Sequence, residues 1–285
     1  MRPTIKITAL GMGASVQDLG RRGWLRFGVP MGGAMDRTAF LQANQLLGNA
    51  PNAPCIEFLH VGARLQIEAA GWFALAGAAA GDALAAGTAQ WLAKGTLLCL
   101  QPNWQGLWSY LAAPGGFEAP RWFGSSAVDP RCNVGQKIAQ NQIFTAVLAQ
   151  PRCSTERVAR RRLSLASSPK SDSLLILPVM QGPQWHLFAA EVRQQFIAST
   201  WRVSSRSDRC GYRLEGPALK GPASMLSEPV LPGSFQIPGN GQPIVTMADG
   251  PTVGGYPKLA ILSEADRSRL AQCAPGTQVR FRWSD

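Results

Sequence analysis

A mainly β fold, an antiparallel barrel or sandwich pair with a few short helices, is what this sequence predicts. Three observations carry it. Gly (30) and Pro (21) are abundant in a chain of 285 residues and fall between short apolar runs, the pattern of many turns joining many short strands. Several runs alternate apolar and polar residues with a period of two. Helical spacing is confined to three short segments.

In chain order, residues 3–9 alternate Ile5 and Ile7 with polar neighbours. Asp36 is placed to cap a helix over 37–47, where Phe40, Ala43, Leu46 and Leu47 share one face and Gly48 supplies the stop. Residues 61–68 set Val61, Ala63, Leu65 and Ile67 against Arg64, Gln66 and Glu68, a half-buried strand. The apolar stretch 69–100 is broken by Gly71, Gly77, Gly81, Asp82, Gly87, Lys94 and Gly95, so no window reaches the ~20 apolar residues of a spanning helix. It reads as buried strands and turns.

Leu187, Phe188, Val192 and Phe196 give helical spacing over 185–197, and this reading places His186 as a packed side chain on that helix. Ile244–Met247 is a short apolar strand. Ser263 opens a helix over 264–273, with Asp266 three residues on as its capping box. Val279, Phe281 and Trp283 alternate with Gln278, Arg280 and Arg282 in a closing strand.

Residues 151–172 (PRCSTERVARRRLSLASSPKSD) are polar, Ser-rich and basic, which reads as a linker or loop between an N-terminal β domain (1–150) and a C-terminal domain (173–285). Residues 1–10 lack the apolar core and cleavage site of a secretory signal, so a cytoplasmic protein is expected. The six cysteines are scattered without a C-x-x-C pair, and the two histidines, His60 and His186, stand in unrelated contexts; neither a disulfide framework nor a zinc site is expected.

The net charge of +11 comes from 22 Arg and 6 Lys against 17 acidic residues. Without a basic face interleaved with stacking aromatics, it points to anionic small molecules or an acidic partner rather than to nucleic acid. The chain contains no phosphate-binding G-x-x-x-x-G-K-[ST] loop, no G-x-G-x-x-G after a strand and no G-x-S-x-G elbow, so ATP binding by this chain alone has no motif behind it.

Three clusters could carry chemistry. In VQDLGRRGWLRFGVPMGGAMD (16–36), Gln17, Asp18 and Arg21 sit among five glycines: a polar loop at a site, or turns braced by polar side chains. In RVSSRSDRCGYRLEG (202–216), Arg202, Arg206, Arg209 and Arg213 alternate with Asp208, Tyr212 and Glu215. That is either a fork for carboxylates and phosphates or a solvated strand face with surface ion pairs. In SEPVLPGSFQIPGNGQPIVTMADGPTVGGYPK (227–258), Gln236, Asn240, Gln242, Asp249, Thr252, Tyr256 and Lys258 are interleaved with Gly and Pro, either binding loops or a plain meander.

These segments in this order resemble the signatures of the biotin-dependent carboxyltransferase-like family. VQDLGRRGWLRFGVPMGGAMDRTAFLQANQLLGN is similar to its opening motif, SSRSDRCGYRLEG to its second and LPGSFQIPGNGQPIVTMADGPTVGGYPK to its third, while LSEADRSRLAQCAPGTQVRF matches its closing helix and strand. The chain departs from the family in GGFEAPRWFGSSAVDPRCNVGQKI, in Gly77-Ala78-Ala79 and at Cys210.

The resemblance implies two cyclophilin-like β-barrel domains. It implies the C component (the allophanate hydrolase subunit 2 type) of a heteromeric 5-oxoprolinase that uses ATP to open 5-oxo-L-proline to L-glutamate, working with the A and B components. Two other family roles remain open: a carboxyltransferase component acting on urea or a similar amide, and a non-enzymatic antagonist of a kinase inhibitor. Carried onto the matched motifs, Asp249 and Arg209 become the catalytic candidates, and Arg206, Asp208, Arg213, Gln236, Gln242, Thr252, Tyr256 and Lys258 the substrate-binding ones. Gln17, Asp18 and Arg21 are candidates for a first-domain contribution, and no metal is implied.

Overall fold

The computed structural model describes residues 1–59, 62–101, 106–152, 154, 158, 174–222 and 225–284. His60, Val61, Cys153 and most of the basic segment 151–172 lie outside them. The chain forms two compact units, one from Met1–Arg21 with Asp36–Ser168, the other from Arg22–Met35 with Pro169–Asp285. The Gly-rich stretch 22–35 therefore belongs to the second unit although first-unit residues flank it, an arrangement no composition break announces.

The first unit contains β1 (Thr4–Leu10), β2 (Ala14–Gln17), helix α1 (Arg37–Leu47), β3 (Cys55–Leu59), β4 (Ala63–Ala69), β5 (Gly71–Gly77), β6 (Ala80–Gly81), β7 (Thr88–Leu92), β8 (Leu97–Gln101), β9 (Trp108–Ala112) and β10 (Ile143–Thr145). They pair into two five-stranded antiparallel sheets, β10-β1-β4-β8-β6 and β2-β3-β9-β5-β7. One core is fed by both: Ile5, Ile7, Leu65, Ile67 and Leu98 from the first, and Val16, Ile56, Phe58, Phe73 and Leu111 from the second. The two-residue alternation legible in β1 and β4 thus supplies one face of a sandwich.

Helix α1 has the expected bounds. The Asp36 carboxylate accepts from Ala39 N–H at 2.9 Å, and Gly48 ends the helix in the left-handed conformation (φ 67°). Phe40, Ala43, Leu46 and Leu47 are all fully buried.

The second unit holds β11 (Leu175–Gln181), a 3₁₀ turn (Trp185–Leu187), helix α2 (Ala190–Ala198), β12 (Trp201–Val203), β13 (Gly211–Glu215), β14 (Glu228–Pro229), β15 (Ser234–Gln236), β16 (Ile244–Thr246), β17 (Val253–Gly254), β18 (Lys258–Leu262), helix α3 (Glu264–Ala271) and β19 (Gln278–Trp283). Seven of its strands close a barrel in the order β11-β18-β15-β16-β13-β12-β19. Strand directions cannot alternate all the way round a ring of seven, so one neighbouring pair must be parallel; it is β11 with β19, Leu177 opposite Phe281. Aromatic rings fill the interior: Phe196 stacks on Phe281 at 5.2 Å and meets Phe235 edge-on at 5.3 Å, each ring contributing about 1.5–3 kcal/mol by burial.

Two expectations are corrected. The fold is mainly β, but among the described residues the closed barrel belongs to the second unit, while the first pairs its strands into two open sheets around one core. The helix expected over 185–197 is broken: residues 185–187 form a 3₁₀ turn, Phe188 is extended (ψ 139°), and α2 starts at Ala190. The break buries Phe188 and leaves Leu187 about half exposed, while His186 lies on the surface instead of packing. The α3 capping box forms, with Ser263 Oγ accepting from Asp266 N–H at 3.1 Å and donating to its carboxylate at 2.6 Å. Among the described residues no helix is long and apolar enough to cross a membrane.

Candidate functional site

Strands β13, β15, β16 and β18 are adjacent in the barrel, so their ends and the loops between them collect most of the nominated side chains. The structure sorts these into groups with different duties.

Arg209 and Asp249 meet. Arg209 Nε lies 2.6 Å from Asp249 Oδ2, and Nη2 lies 2.9 Å from Oδ1 and 2.8 Å from the carbonyl oxygen of Gly33. Asp249 N–H in turn donates to the Arg209 carbonyl at 2.9 Å. The carboxylate is 2% exposed and the guanidinium 17%. Both carboxylate oxygens accept from Arg209, so Asp249 anchors that guanidinium. Through Gly33, the pair also fixes the stretch 22–35 against the loops of its own unit.

Several nominated residues brace backbone. Asp208 Oδ1 accepts from the N–H groups of Cys210 (2.8 Å) and Gly211 (3.1 Å), closing the turn before β13. The Gln242 amide exchanges two 3.0 Å hydrogen bonds with the backbone of Gly216. Arg206, 74% exposed and 3.9 Å from Glu215, makes a loose surface pair, and Arg213 is exposed on β13. Tyr256 is exposed and Thr252 half-buried, its carbonyl accepting from Val230 N–H.

Gln17, Asp18 and Arg21 do the same work inside the first unit. Gln17 Nε2 donates to the Val128 carbonyl at 3.0 Å. Asp18 accepts from Ser125 Oγ (2.6 Å), Ser126 N–H (2.7 Å) and Gly20 N–H (2.8 Å). The Arg21 guanidinium donates to the Ala127 carbonyl. All three are fully or almost fully buried and grip one segment, Ser125–Val128. A surface cavity of about 390 Å³ in the same unit is bounded by Asn52, Pro54, Gly115, Phe117 and Arg121, and none of the nominated residues lines it.

Lys258 is different. It starts β18 opposite Gln236 of β15, with its side chain only 3% exposed, and its ammonium pairs with the Glu228 carboxylate. Glu228 belongs to the short ribbon of β14 on β17, opposite Gly254. A side chain at Gly254 would put its Cβ 2.8 Å from Gln236 Nε2, so the glycine keeps room for that buried amide. Gln184, from the turn before the 3₁₀ segment, donates to Glu228 Oε1 at 2.8 Å and accepts from Lys258 N–H at 3.1 Å. The Lys258 ammonium beside it, helped by the Gln184 amide, holds the Glu228 carboxyl below the usual carboxylate range against the opposing effect of burial.

A buried lysine with a half-exposed carboxylate (34%) beside it is an arrangement that can present positive charge and N–H donors to an incoming oxygen. Sequence reasoning finds Lys258 and Gln236 but not Gln184 or Glu228. Glu228 lies in the third cluster, just ahead of the matched motif, inconspicuous beside Pro229; Gln184 directly precedes the segment whose spacing mimics a helix.

Relatives share this architecture. The model of the family described as "Carboxyltransferase domain, subdomain A and B" matches residues 27–283. The chain belongs to that carboxyltransferase domain family. Among its relatives, the C component of the Escherichia coli 5-oxoprolinase is 35% identical over 97% of this chain and 90% of its own length. A crystal structure of the K. lactis urea amidolyase superposes with a TM-score of 0.86 at 25% identity, covering all of this chain and 19% of that one. In another solved structure (TM-score 0.86, 29% identity, 99% of this chain) the chain spans 56% of the longer protein. Family members thus include proteins of this length and much longer ones that contain its equivalent.

Proposed function

We propose that this chain is the C component of an ATP-dependent 5-oxoprolinase, a cytoplasmic complex with A and B components that opens 5-oxo-L-proline to L-glutamate. One observation carries the reading: the match to a 5-oxoprolinase C component extends over nearly the whole of both chains, whereas the urea amidolyase match is a fifth of a far longer protein. The cyclophilin-like description of the second unit belongs to the same proposal, supported by its closed seven-stranded barrel.

The reaction needs charge management. The lactam carbonyl oxygen takes the γ-phosphoryl group of ATP and ADP leaves. Water adds to the activated carbon, the C–N bond breaks with its nitrogen taking a proton, and a second water releases phosphate from the resulting acyl phosphate. Negative charge develops on oxygen at each stage, where fixed N–H donors act most strongly. Lys258 and Gln236 are the groups we assign to substrate oxygens, with Thr252 and Tyr256 on the segment that leads into β18. Asp249, held by Arg209, stands at the start of that segment. Arg206 and Arg213, exposed on the barrel, are assigned to contacts with the other components. ATP enters as a ligand of the complex.

Glutamate release from 5-oxoproline and ATP tests this, with each of the three components omitted in turn. Activity that disappears without this chain is expected. Full activity from the A and B components alone would overturn the reading, and carboxylation of urea in the presence of a biotin carboxylase and its carrier would move the chain to the amide carboxyltransferase role.

A further inference from the structure

We infer that Gln184 and Glu228 are positioning residues for Lys258, holding its ammonium so that its remaining N–H donors meet an acceptor oxygen of a bound carbonyl or carboxylate ligand. The inference rests on the proposed function for the identity of the ligand, and on geometry alone for the positioning.

The geometry is a closed cycle. Lys258 N–H donates to Gln184 Oε1 (3.1 Å), Gln184 Nε2 donates to Glu228 Oε1 (2.8 Å), and that same oxygen pairs with Lys258 Nζ. Gln184 N–H also reaches back to the Lys258 carbonyl at 3.3 Å. Strand backbone, side-chain amide, carboxylate and ammonium therefore fix one another in a single ring. Only a primary amide suits the middle position: its oxygen must accept from backbone while its nitrogen donates to the carboxylate. A glutamate at 184 would set two carboxylates face to face. The turn carrying Gln184 lies tight on β18, since a Cβ on Gly182 would fall 2.2 Å from the Lys258 carbonyl oxygen.

The cycle leaves donors over. An ammonium carries three N–H groups. Among the described residues, Glu228 is the one partner of Lys258 Nζ, although the atom is buried. Buried donors without acceptors are costly, and the common resolutions are water or a ligand. Arg209 contrasts with this: its guanidinium is engaged by Asp249 and the Gly33 carbonyl. Lys258 is thus a buried cation prepared for an external oxygen, and Gln236, its cross-strand neighbour, adds an amide beside it.

The test uses the assembled complex carrying Glu228→Gln, Gln184→Leu or Glu228→Asp. Glu228→Gln and Gln184→Leu are expected to lower kcat by about tenfold to 100-fold, with KM changing less and the complex still assembling, and Glu228→Asp to recover part of the loss. Wild-type kcat in Glu228→Gln would overturn the inference. A second readout does not depend on activity: the Glu228 carboxyl, followed by carbon NMR in the full chain, should titrate below an ordinary glutamate and move upward in Gln184→Leu and in Lys258→Met. An unmoved titration overturns the positioning. If the wild-type complex releases no glutamate, the proposed function fails while the titration still decides this inference.

Discussion

Arg209 grips both oxygens of Asp249, Nε to Oδ2 at 2.6 Å and Nη2 to Oδ1 at 2.9 Å, and carries the Gly33 carbonyl on the same Nη2. Two residues nominated for catalysis neutralise each other, and their shared duty is to hold three separated pieces of chain. Arg209→Lys keeps the charge but cannot fork. Arg209→Ala leaves a carboxylate that is 2% exposed without its partner and should cost about 3 kcal/mol of unfolding free energy, with Arg209→Lys intermediate. Urea unfolding of the three proteins checks the order. Unchanged stability in Arg209→Ala would return the pair to a purely functional role.

Asp18 satisfies two backbone N–H groups and one hydroxyl while almost fully buried. Asp18→Ala strands those donors and should destabilise the chain by about 2–3 kcal/mol. Limited proteolysis should show new cleavage near Ser125–Val128 before elsewhere in the first unit.

Glu228 ties stability to pH. Its carboxyl is held below the usual range by Lys258, so the folded state binds its proton less readily than the unfolded chain does. Its contribution is complete above the ordinary glutamate range and is lost as pH falls from about 5 through the depressed value. Thermal unfolding measured from pH 6 downward should show a steeper acid loss in the wild type than in Lys258→Met, the difference closing at the acid end.

Thiol reactivity should follow burial. Burial pushes the Cys55 thiol far up and the Cys273 thiol up to about 12, whereas Cys132 is exposed. Iodoacetamide at neutral pH should label Cys132 in the native chain and reach Cys55 and Cys273 only after denaturation, as peptide mass mapping would show.

Local order is legible where one element carries its own rule. Asp36 and Gly48 bracket α1, Ser263 and Asp266 open α3, and the alternation in β1, β4 and β19 puts Ile5, Ile7, Leu65, Ile67, Val279 and Phe281 inside. What escapes a local reading is non-local. Trp185–Phe196 has helical spacing, yet Gln184 is held by Lys258 and Glu228, far along the chain, and Phe188 is extended and buried, which interrupts the helix. Residues 22–35 join the second unit through partners such as Arg209 that no local pattern reveals. In the first unit, Tyr110 donates to Glu57 at 2.7 Å and accepts from Asp36 N–H at 2.8 Å, a buried polar knot assembled from three separate elements. The motifs mark the loops that carry polar residues. They do not say which of those residues face backbone, as Asp208 and Gln242 do, and which face a buried cation.

Lys258 is probed most sharply by glutamate formation from 5-oxoproline and ATP in the complete complex carrying Lys258→Met. If its ammonium meets substrate oxygen, kcat should fall by about 100-fold or more while the three components still co-elute. Turnover at the wild-type rate would contradict that role and leave Lys258 a structural residue.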